Sequence, residues 1–502
     1  MLKQILSGDL GLKSEIIIGV IVLAVVYLIT TAIRRHGKKY PPGPYGLPLF
    51  GYAPFLTEKP YLKFIEISKQ YGDIFSISMG TERWVILNSA DAIKEALLKP
   101  EFLNRPPYGP LTPFKKESPF FTSPIHVWQE QRKFVVQSMK DLGLGKSKIE
   151  DHVKDEINAF IEVVKSHGGK PMDLKEPLAP SMSNNITALV FGVRHDYDHP
   201  DRKLLDKNAE DINKHIQELG FLHLFPWMKH LYFSKDSKYQ IVANGFKSSH
   251  KLFRKMIEEH KKTLDPENIR DYVDRYLIEM KSRKDKDPKT TFNENTLADS
   301  ASDMFGAGSE TVFTSVLWCV YIMAAYPQLQ KKVQKEIMDV IGPDRMAELL
   351  DQKSMPFTHA TILEVLRFIT IAPLNFLHYT TVDATLKDYF IPRNTAILAN
   401  FWAVHHDTRY WEDPNSFKPE RFISEDGKSV VKPPNYMPFS MGKRSCPGET
   451  MAYMEIFLYF ATILQRFNAA FPEGYKPTFN SHFALSLRPE DFKIRFLSRN
   501  QS

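Results

Sequence analysis

The chain has 502 residues, a composition ordinary for a globular protein, and a net charge of +7 from 66 basic and 59 acidic residues. So small an excess argues against a dedicated nucleic-acid binder but leaves room for an acidic protein partner or an anionic membrane surface. Two cysteines, Cys319 and Cys446, make no disulfide framework, and neither lies in a Cys-x-x-Cys pair, which argues against zinc.

Ile16 to Ile33 carries no charge, and as a helix it spans about 27 Å, close to the hydrocarbon core of a bilayer. Arg34, Arg35, Lys38 and Lys39 follow it, which keeps the carboxyl-terminal body in the cytosol. A cleaved signal peptide is the alternative. Against it stand the length of the run, the lack of a small-x-small site and charges on the wrong side; no Arg-rich transit peptide is present. Tyr40-Pro41-Pro42-Gly43-Pro44 ends the run as a stiff link. The organisation expected is an N-terminal transmembrane anchor at 1–39, a proline-rich hinge at 40–50 and one large domain at 51–502.

In the body, Tyr61 to Tyr71 has helical spacing. Ile74 to Met79 and Trp84 to Leu87 read as strands joined by Gly80-Thr81-Glu82-Arg83. Asn104 to Ser123, dense in Pro and aromatic residues, reads as a long irregular loop of the kind that often carries function. Trp128 and Arg132 share one face of a probable helix, where an indole N–H and a guanidinium would converge on an anion; a packed surface pair is the plainer alternative. Residues 150 to 285 are mostly helical. Within them Phe221, Leu222, Leu224, Phe225 and Trp227 form core, a pocket lid or a second membrane contact.

Leu297 to Ala325 is the longest apolar periodic stretch of the body. Gly306 and Gly308 each cost roughly 1 kcal/mol there against alanine, which predicts an opened groove able to hold oxygen or water beside a metal. Ala307 and Thr311 share a face, one leaving room and the other offering a hydroxyl. Glu310 is an acid on an otherwise apolar helix, expensive unless hydrogen-bonded. Glu364 and Arg367 are in register for an ion pair on the helix Ile362 to Phe368, and a strand carrying His378 follows. His405 and His406 suggest a metal, but neighbours on a strand point to opposite faces, so that reading is rejected.

Near the carboxyl end stands Pro438-Phe439-Ser440-Met441-Gly442-Lys443-Arg444-Ser445-Cys446-Pro447-Gly448. Such a loop presents one thiolate from a turn whose backbone N–H groups face the sulfur. Its pattern, Phe-x-x-Gly-x-Arg-x-Cys-x-Gly, resembles the haem-binding loop of the cytochrome P-450 superfamily. The Pro-Pro-Gly-Pro hinge, Ala307-Gly308-Ser309-Glu310-Thr311-Val312, Glu364-x-x-Arg367 and Pro419-Glu420-Arg421-Phe422 resemble further family segments in the right order. Val312 departs from the usual Thr or Ser. The animal microsomal branch that handles steroids and foreign lipophiles is the nearest likeness.

The resemblance implies a mostly α fold with a small β portion, haem held between the long helix and the Cys446 loop. It implies haem b with Cys446 as axial ligand, bound also through Trp128, Arg132, Ala307, His378, Phe439 and Arg444. Thr311 and Glu310 would relay protons, and Glu364, Arg367 and Arg421 would scaffold the thiolate loop. Without a Gly-x-Gly-x-x-Gly nucleotide loop, electrons are expected from NADPH through NADPH-cytochrome P-450 reductase, with cytochrome b5 as a second donor. The expected location is the endoplasmic reticulum membrane, and the substrate is a steroid, fatty acid or xenobiotic. Two other classes compete: a reductase-independent haem-thiolate isomerase or dehydratase, and a non-catalytic haem or ligand carrier. The intact Glu310-Thr311 pair argues against both.

Overall fold

The structure is a computed structural model that describes residues 17–19, 21–22, 25–26, 29–30, 38–109, 111–114, 118–143, 147–231, 234, 237–287 and 289–499. The expected anchor lies largely outside the described residues, as do Arg34 and Arg35. Its described positions between 17 and 30 are helical, and Ile17, Ile21, Val22, Val25, Val26 and Ile29 are exposed.

The helices used below, in chain order, are α1 (Pro60–Tyr71), α2 (Ala90–Leu98), α3 (Ile125–Asp141), α4 (Ser147–Ser166), α5 (Lys175–Phe191), α6 (Pro200–Leu219), α7 (Lys238–Thr263), α8 (Tyr272–Lys284), α9 (Glu294–Ala325), α10 (Pro327–Val340), α11 (Pro356–Ile369), α12 (Phe401–His405) and α13 (Glu449–Arg466). The axis is α9. Asn293 caps it, its side chain accepting from the Thr296 amide at 3.0 Å, and Pro327 prevents it from continuing into α10. Val312 to Ala324 is buried without interruption, because α5, α7 and α13 pack around it. Among the described residues α9 alone is long and apolar enough to cross a membrane, but 78% of its apolar window is buried in the fold, so it is a core helix. It runs unbroken through Gly306 and Gly308. The expected opening of the helix is therefore corrected for Gly308: a Cβ there would lie 2.9 Å from Ile186 Cδ1, so this glycine serves the close approach of α5.

A four-stranded sheet flanks the helices. Strands β1 (Ile74–Met79) and β2 (Glu82–Leu87) form a hairpin whose turn is only Gly80-Thr81, two residues tighter than the sequence suggested. Gly80 has φ +59°, which suits so short a turn. With β3 (His378–Tyr379) and β4 (Ala396–Ala399) the order is β1-β2-β4-β3, β2 and β4 running parallel. The prolines at 41 and 42 lie on this sheet: Ser76 donates from its amide to Pro42 O at 2.7 Å and from its hydroxyl to Pro41 O at 2.9 Å. The described residues of the loop from Asn104 to Ser123 form no helix or strand of their own, as its composition implied, and Ser118 Oγ ties them to α9 by donating to Asp303 Oδ2 at 2.7 Å.

His405 and His406 end helix α12 instead of lying on a strand, so the geometric reason given against a metal there is corrected. Their ring nitrogens are engaged by protein: His405 with Thr370 Oγ1 and the Met437 amide, His406 with the carbonyls of Trp402 and Phe368. His260, Asp271 and Asp274 form another buried cluster. Both ring nitrogens of His260 face oxygen acceptors, Met256 O at 2.8 Å and Asp271 Oδ2 at 2.8 Å, which marks a buried imidazolium and not a metal ligand.

Glu455 on α13 is buried, and among the described residues its one hydrogen bond, from Asn185 Nδ2, is long at 3.5 Å. Burial pushes its carboxyl up to about 8, with Asn185 opposing weakly. The folded state thus keeps a proton that the unfolded chain loses near its ordinary value, and stability falls as pH rises from about 4.5 to about 8. Glu455→Gln removes that slope. In calorimetric melts the variant is expected to match the parent near pH 5 and to exceed it at pH 8, by an amount on the order of 3 kcal/mol.

Candidate active site

The loop 438–448 is built on packing that only a few residues permit. Gly442 has φ +70°, and a Cβ on it would stand 2.4 Å from Leu97 O at the end of α2. Ser440, at φ +62°, adds a second left-handed residue. The Cys446 amide donates to Phe439 O at 2.9 Å, and Gly448 caps α13, whose N-terminus lies against the cysteine. The Gly448 amide donates to Cys446, which favours the thiolate, as does Arg132; burial outweighs both and pushes the thiol up. Cys446 nonetheless carries accessible surface. A sulfur enclosed by protein yet accessible faces an internal hollow, not bulk solvent. The ring of Phe439 stacks obliquely on Tyr453, centroids 4.9 Å apart.

Opposite lies α9. In the middle of this helix Ala307 and Thr311 are exposed and share one face, and Gly306 is exposed beside them. The Thr311 hydroxyl donates to Ala307 O at 2.7 Å, which leaves its oxygen free to accept. Glu310 does not reach Thr311 by any hydrogen bond described. Its carboxylate is taken by Arg488 Nε at 2.8 Å and Nη2, by Ser486 Oγ at 2.7 Å and by Thr314 Oγ1 at 3.2 Å.

At the side of the hollow three arginines meet. Arg444 lies on the face of Trp128, 3.6 Å from the ring centroid, and donates to Leu103 O at 3.0 Å. Arg132 reaches Ser445 Oγ at 3.4 Å. Arg105, unmarked by the sequence reading, donates through Nη1 to Phe376 O and to Leu377 O at 2.9 Å. Burial pulls Arg105 down to about 9, with repulsion from Arg132 adding to it, and pulls Arg444 down to about 8, with Arg105 and Arg132 adding. Arg105 Nε and Arg444 Nη2 are buried without partners. His378 is buried beside them, its proton placed on Nδ1 by Phe102 O at 2.7 Å; burial and then Arg105 hold it neutral. Among the described residues no carboxylate is bonded to any of the three guanidinium groups. Buried cations that repel one another and keep free donors call for an anion with two or more acceptor sites.

Behind the loop, Arg367 and Glu364 are both fully buried, joined by bonds of 2.7 and 2.8 Å. Arg367 also donates to His405 O and Pro414 O, and Glu364 also accepts from the Lys418 amide at 2.9 Å. Arg421 approaches Glu364 at 3.4 Å. Apart from Glu310, the residues selected from sequence fall into two groups. Cys446, Phe439, Arg444, Trp128, Arg132, His378, Ala307 and Thr311 line or abut the hollow, while Glu364, Arg367 and Arg421 lie behind the loop. Glu310 faces away from Thr311 toward Arg488. Arg105 could have been found as the one arginine in the Pro-rich loop; Arg488 had no sequence signal.

A single thiolate donor below, a small-residue helix face above and a cluster of unneutralised guanidinium groups at the edge fit a flat iron macrocycle bearing carboxylates. The class these features define is a haem-thiolate oxygenase. The family model for cytochrome P450 matches residues 41–496. Cytochrome P450 2J5 of Mus musculus is 34% identical over 95% of this chain and 96% of its own length; cytochrome P450 2J2 of Homo sapiens is 34% identical over 92% of both. Cytochrome P450 18a1 of Drosophila melanogaster is 32% identical over 94% of this chain and 90% of its own. The chain belongs to the cytochrome P450 family and is a monooxygenase whose cofactor is haem with an axial cysteine thiolate.

Proposed function

We propose that this enzyme is anchored in the endoplasmic reticulum membrane through residues 1–39 and uses NADPH electrons, passed by a flavin reductase, to place one atom of O2 in a lipophilic substrate. The observation that carries the reading is an accessible Cys446 in a turn beside three buried guanidinium groups, together with the exposed Ala307–Thr311 face of α9. Bound there, haem supplies dioxygen activation, the thiolate pushing electron density to favour O–O cleavage. Cys446 is the axial ligand. Trp128, Arg132, Arg444, Arg105 and His378 hold the propionates, and a carboxylate beside His378 would return its second proton. Ala307 leaves room on the distal side, and Thr311 accepts and passes a proton there. Glu310 supplies that proton through solvent. Tyr45, Leu47, Leu49, Phe50 and Trp227 are exposed apolar groups, Trp227 at 59%, and Phe50 packs on Phe225 at 5.5 Å. They support reading the 221–227 cluster as a second membrane contact.

The test is Thr311→Ala in the full-length holoprotein with reductase. Substrate-induced spin-state shifts are expected to stay near normal while most NADPH electrons are diverted to hydrogen peroxide or water. Unchanged coupling refutes the relay. A product formed at full rate without NADPH would instead favour the isomerase or dehydratase class.

Lys133 and Lys140 lie on the exposed side of α3, away from Trp128, and Lys443 is exposed on the thiolate loop. Together they suit an acidic reductase face. Lys133→Glu with Lys140→Glu is expected to slow NADPH-supported turnover about ten-fold at low salt, less at high salt. Peroxide-supported turnover, which needs no partner, should not change; equal losses by both routes would point to haem-site damage.

A further inference from the structure

A small group of side chains gathers where the thiolate loop runs into α13. Glu449, the first residue of α13, stands three positions after Cys446. Tyr453, one turn further on, lays its ring against Phe439 of the loop, and its hydroxyl is 3.3 Å from that of Tyr436. Lys432 closes the group. Its Nζ lies 4.2 Å over the Tyr453 ring and 4.0 Å from Glu449 Oε1. The Lys432 and Glu449 side chains each remain 43% exposed, so the pair stands at the surface while Tyr453 beneath it is buried.

An ion pair so exposed adds little to stability. Its position gives it another effect. Burial first, and the Glu449 charge after it, push the Cys446 thiol up. Burial raises Tyr453 as well, Tyr436 opposing, with Glu449 and Cys446 both adding to the rise. Sulfur, carboxylate and phenol thus act on one another, and Lys432 is seated among them by the face of the Tyr453 ring. His359 on α11 approaches the same ring, centroids 6.4 Å apart, but burial and then Lys432 pull it down to about 4, so it stays neutral and brings no second cation. Negative charge beside an iron ligand favours the oxidised metal, and positive charge favours the reduced one.

We infer that Lys432 is a positioning residue for reduction of the haem: held on Tyr453 against Glu449, it cancels the charge that Glu449 places beside the Cys446 sulfur and so keeps the iron easier to reduce. Glu449 belongs to the start of α13, where an acid suits the helix N-terminus, so its charge is fixed by the fold. Lys432 is the adjustable partner, a long side chain reaching in from the segment before the loop. The inference rests on Cys446 being the axial ligand.

The test is potentiometry of the full-length holoprotein at low and high salt, with the spectrum of the reduced, carbon-monoxide-bound form recorded on the same samples. Lys432→Met keeps the aliphatic contact with Tyr453 and removes the charge. It should lower the equilibrium constant for reducing the iron about three-fold, ~28 mV for one electron. Glu449→Gln should raise that constant by a similar factor, the double variant should return close to the parent, and Lys432→Arg should keep the parent value. The single-variant shifts should shrink as salt rises, because both groups reach solvent. Shifts of one sign, or none, overturn the inference, and so does a shift that high salt leaves intact, since a rearranged loop does not respond to screening. Loss of the red-shifted Soret band in Lys432→Met makes Lys432 a structural support of the loop and likewise overturns it. Persistence of that band in Cys446→His overturns the ligand assignment itself; unchanged potentials, with the band lost in Cys446→His, remove only the role of Lys432.

Discussion

Cys446→His is expected to abolish the red-shifted Soret band of the reduced, carbon-monoxide-bound protein and to lower monooxygenation by at least ~100-fold, since even groups that merely support a ligand cost about 10–100-fold when lost. The reason is local. Gly442 is clamped against Leu97 O, and the Gly448 amide at the start of α13 is aimed at the sulfur. An imidazole can bind iron, but it lacks the electron donation that a thiolate gives. Cys319→Ala is the control. Cys319 is buried in α9, burial raises its thiol far above the ordinary range, and no ionisable partner acts on it. The band should survive there unchanged. Its loss in Cys319→Ala alone would reassign the ligand.

Arg367→Leu is expected to cost about 3–5 kcal/mol of unfolding free energy, because it leaves Glu364 as a buried charge without its main counter-ion. Arg367 bridges α11, the carbonyl at the end of α12 and Pro414, so its loss frees the segment that leads to the thiolate loop. Denaturant melts of the purified protein should show the loss, together with poor retention of haem. Arg421→Leu should cost far less, since its contact with Glu364 is long at 3.4 Å and its other bonds go to backbone carbonyls. The double change Glu364→Leu with Arg367→Leu should recover part of the stability that Arg367→Leu loses, because no unpaired charge then remains. A double variant as unstable as the single one would show that the carbonyl bonds of Arg367, not the ion pair, carry the effect.

What could be read from the sequence was what repeats locally or is chemically dense. Cys446 stood out because the constraints on a thiolate turn fall within eleven adjacent residues. Helix α9 was plain from its length, and Glu364 and Arg367 from their spacing. Arg105 and Arg488 were not legible, because their meaning lies in long-range placement: Arg105 acts beside residues 27 and 339 positions away, and Arg488 meets Glu310 across 178 positions. Gly308 was noticed but its cause was misread. Only the neighbouring Ile186 shows that the glycine answers to packing and not to an opened helix. His405 was placed on a strand because a short apolar run does not distinguish a strand from one turn of helix.

The three guanidinium groups beside the hollow have a consequence for biosynthesis. Two of them are pulled down toward neutrality and keep donors with no acceptor. Until a dianion arrives, the region where α3, the 104–123 segment and the cysteine turn meet is internally frustrated, and bringing those segments together is opposed by their own charge. Capturing the porphyrin is then the last step of maturation. The yield of this enzyme in a cell should follow the local supply of haem as steeply as it follows transcription, and unfilled chains should be the ones that quality control removes.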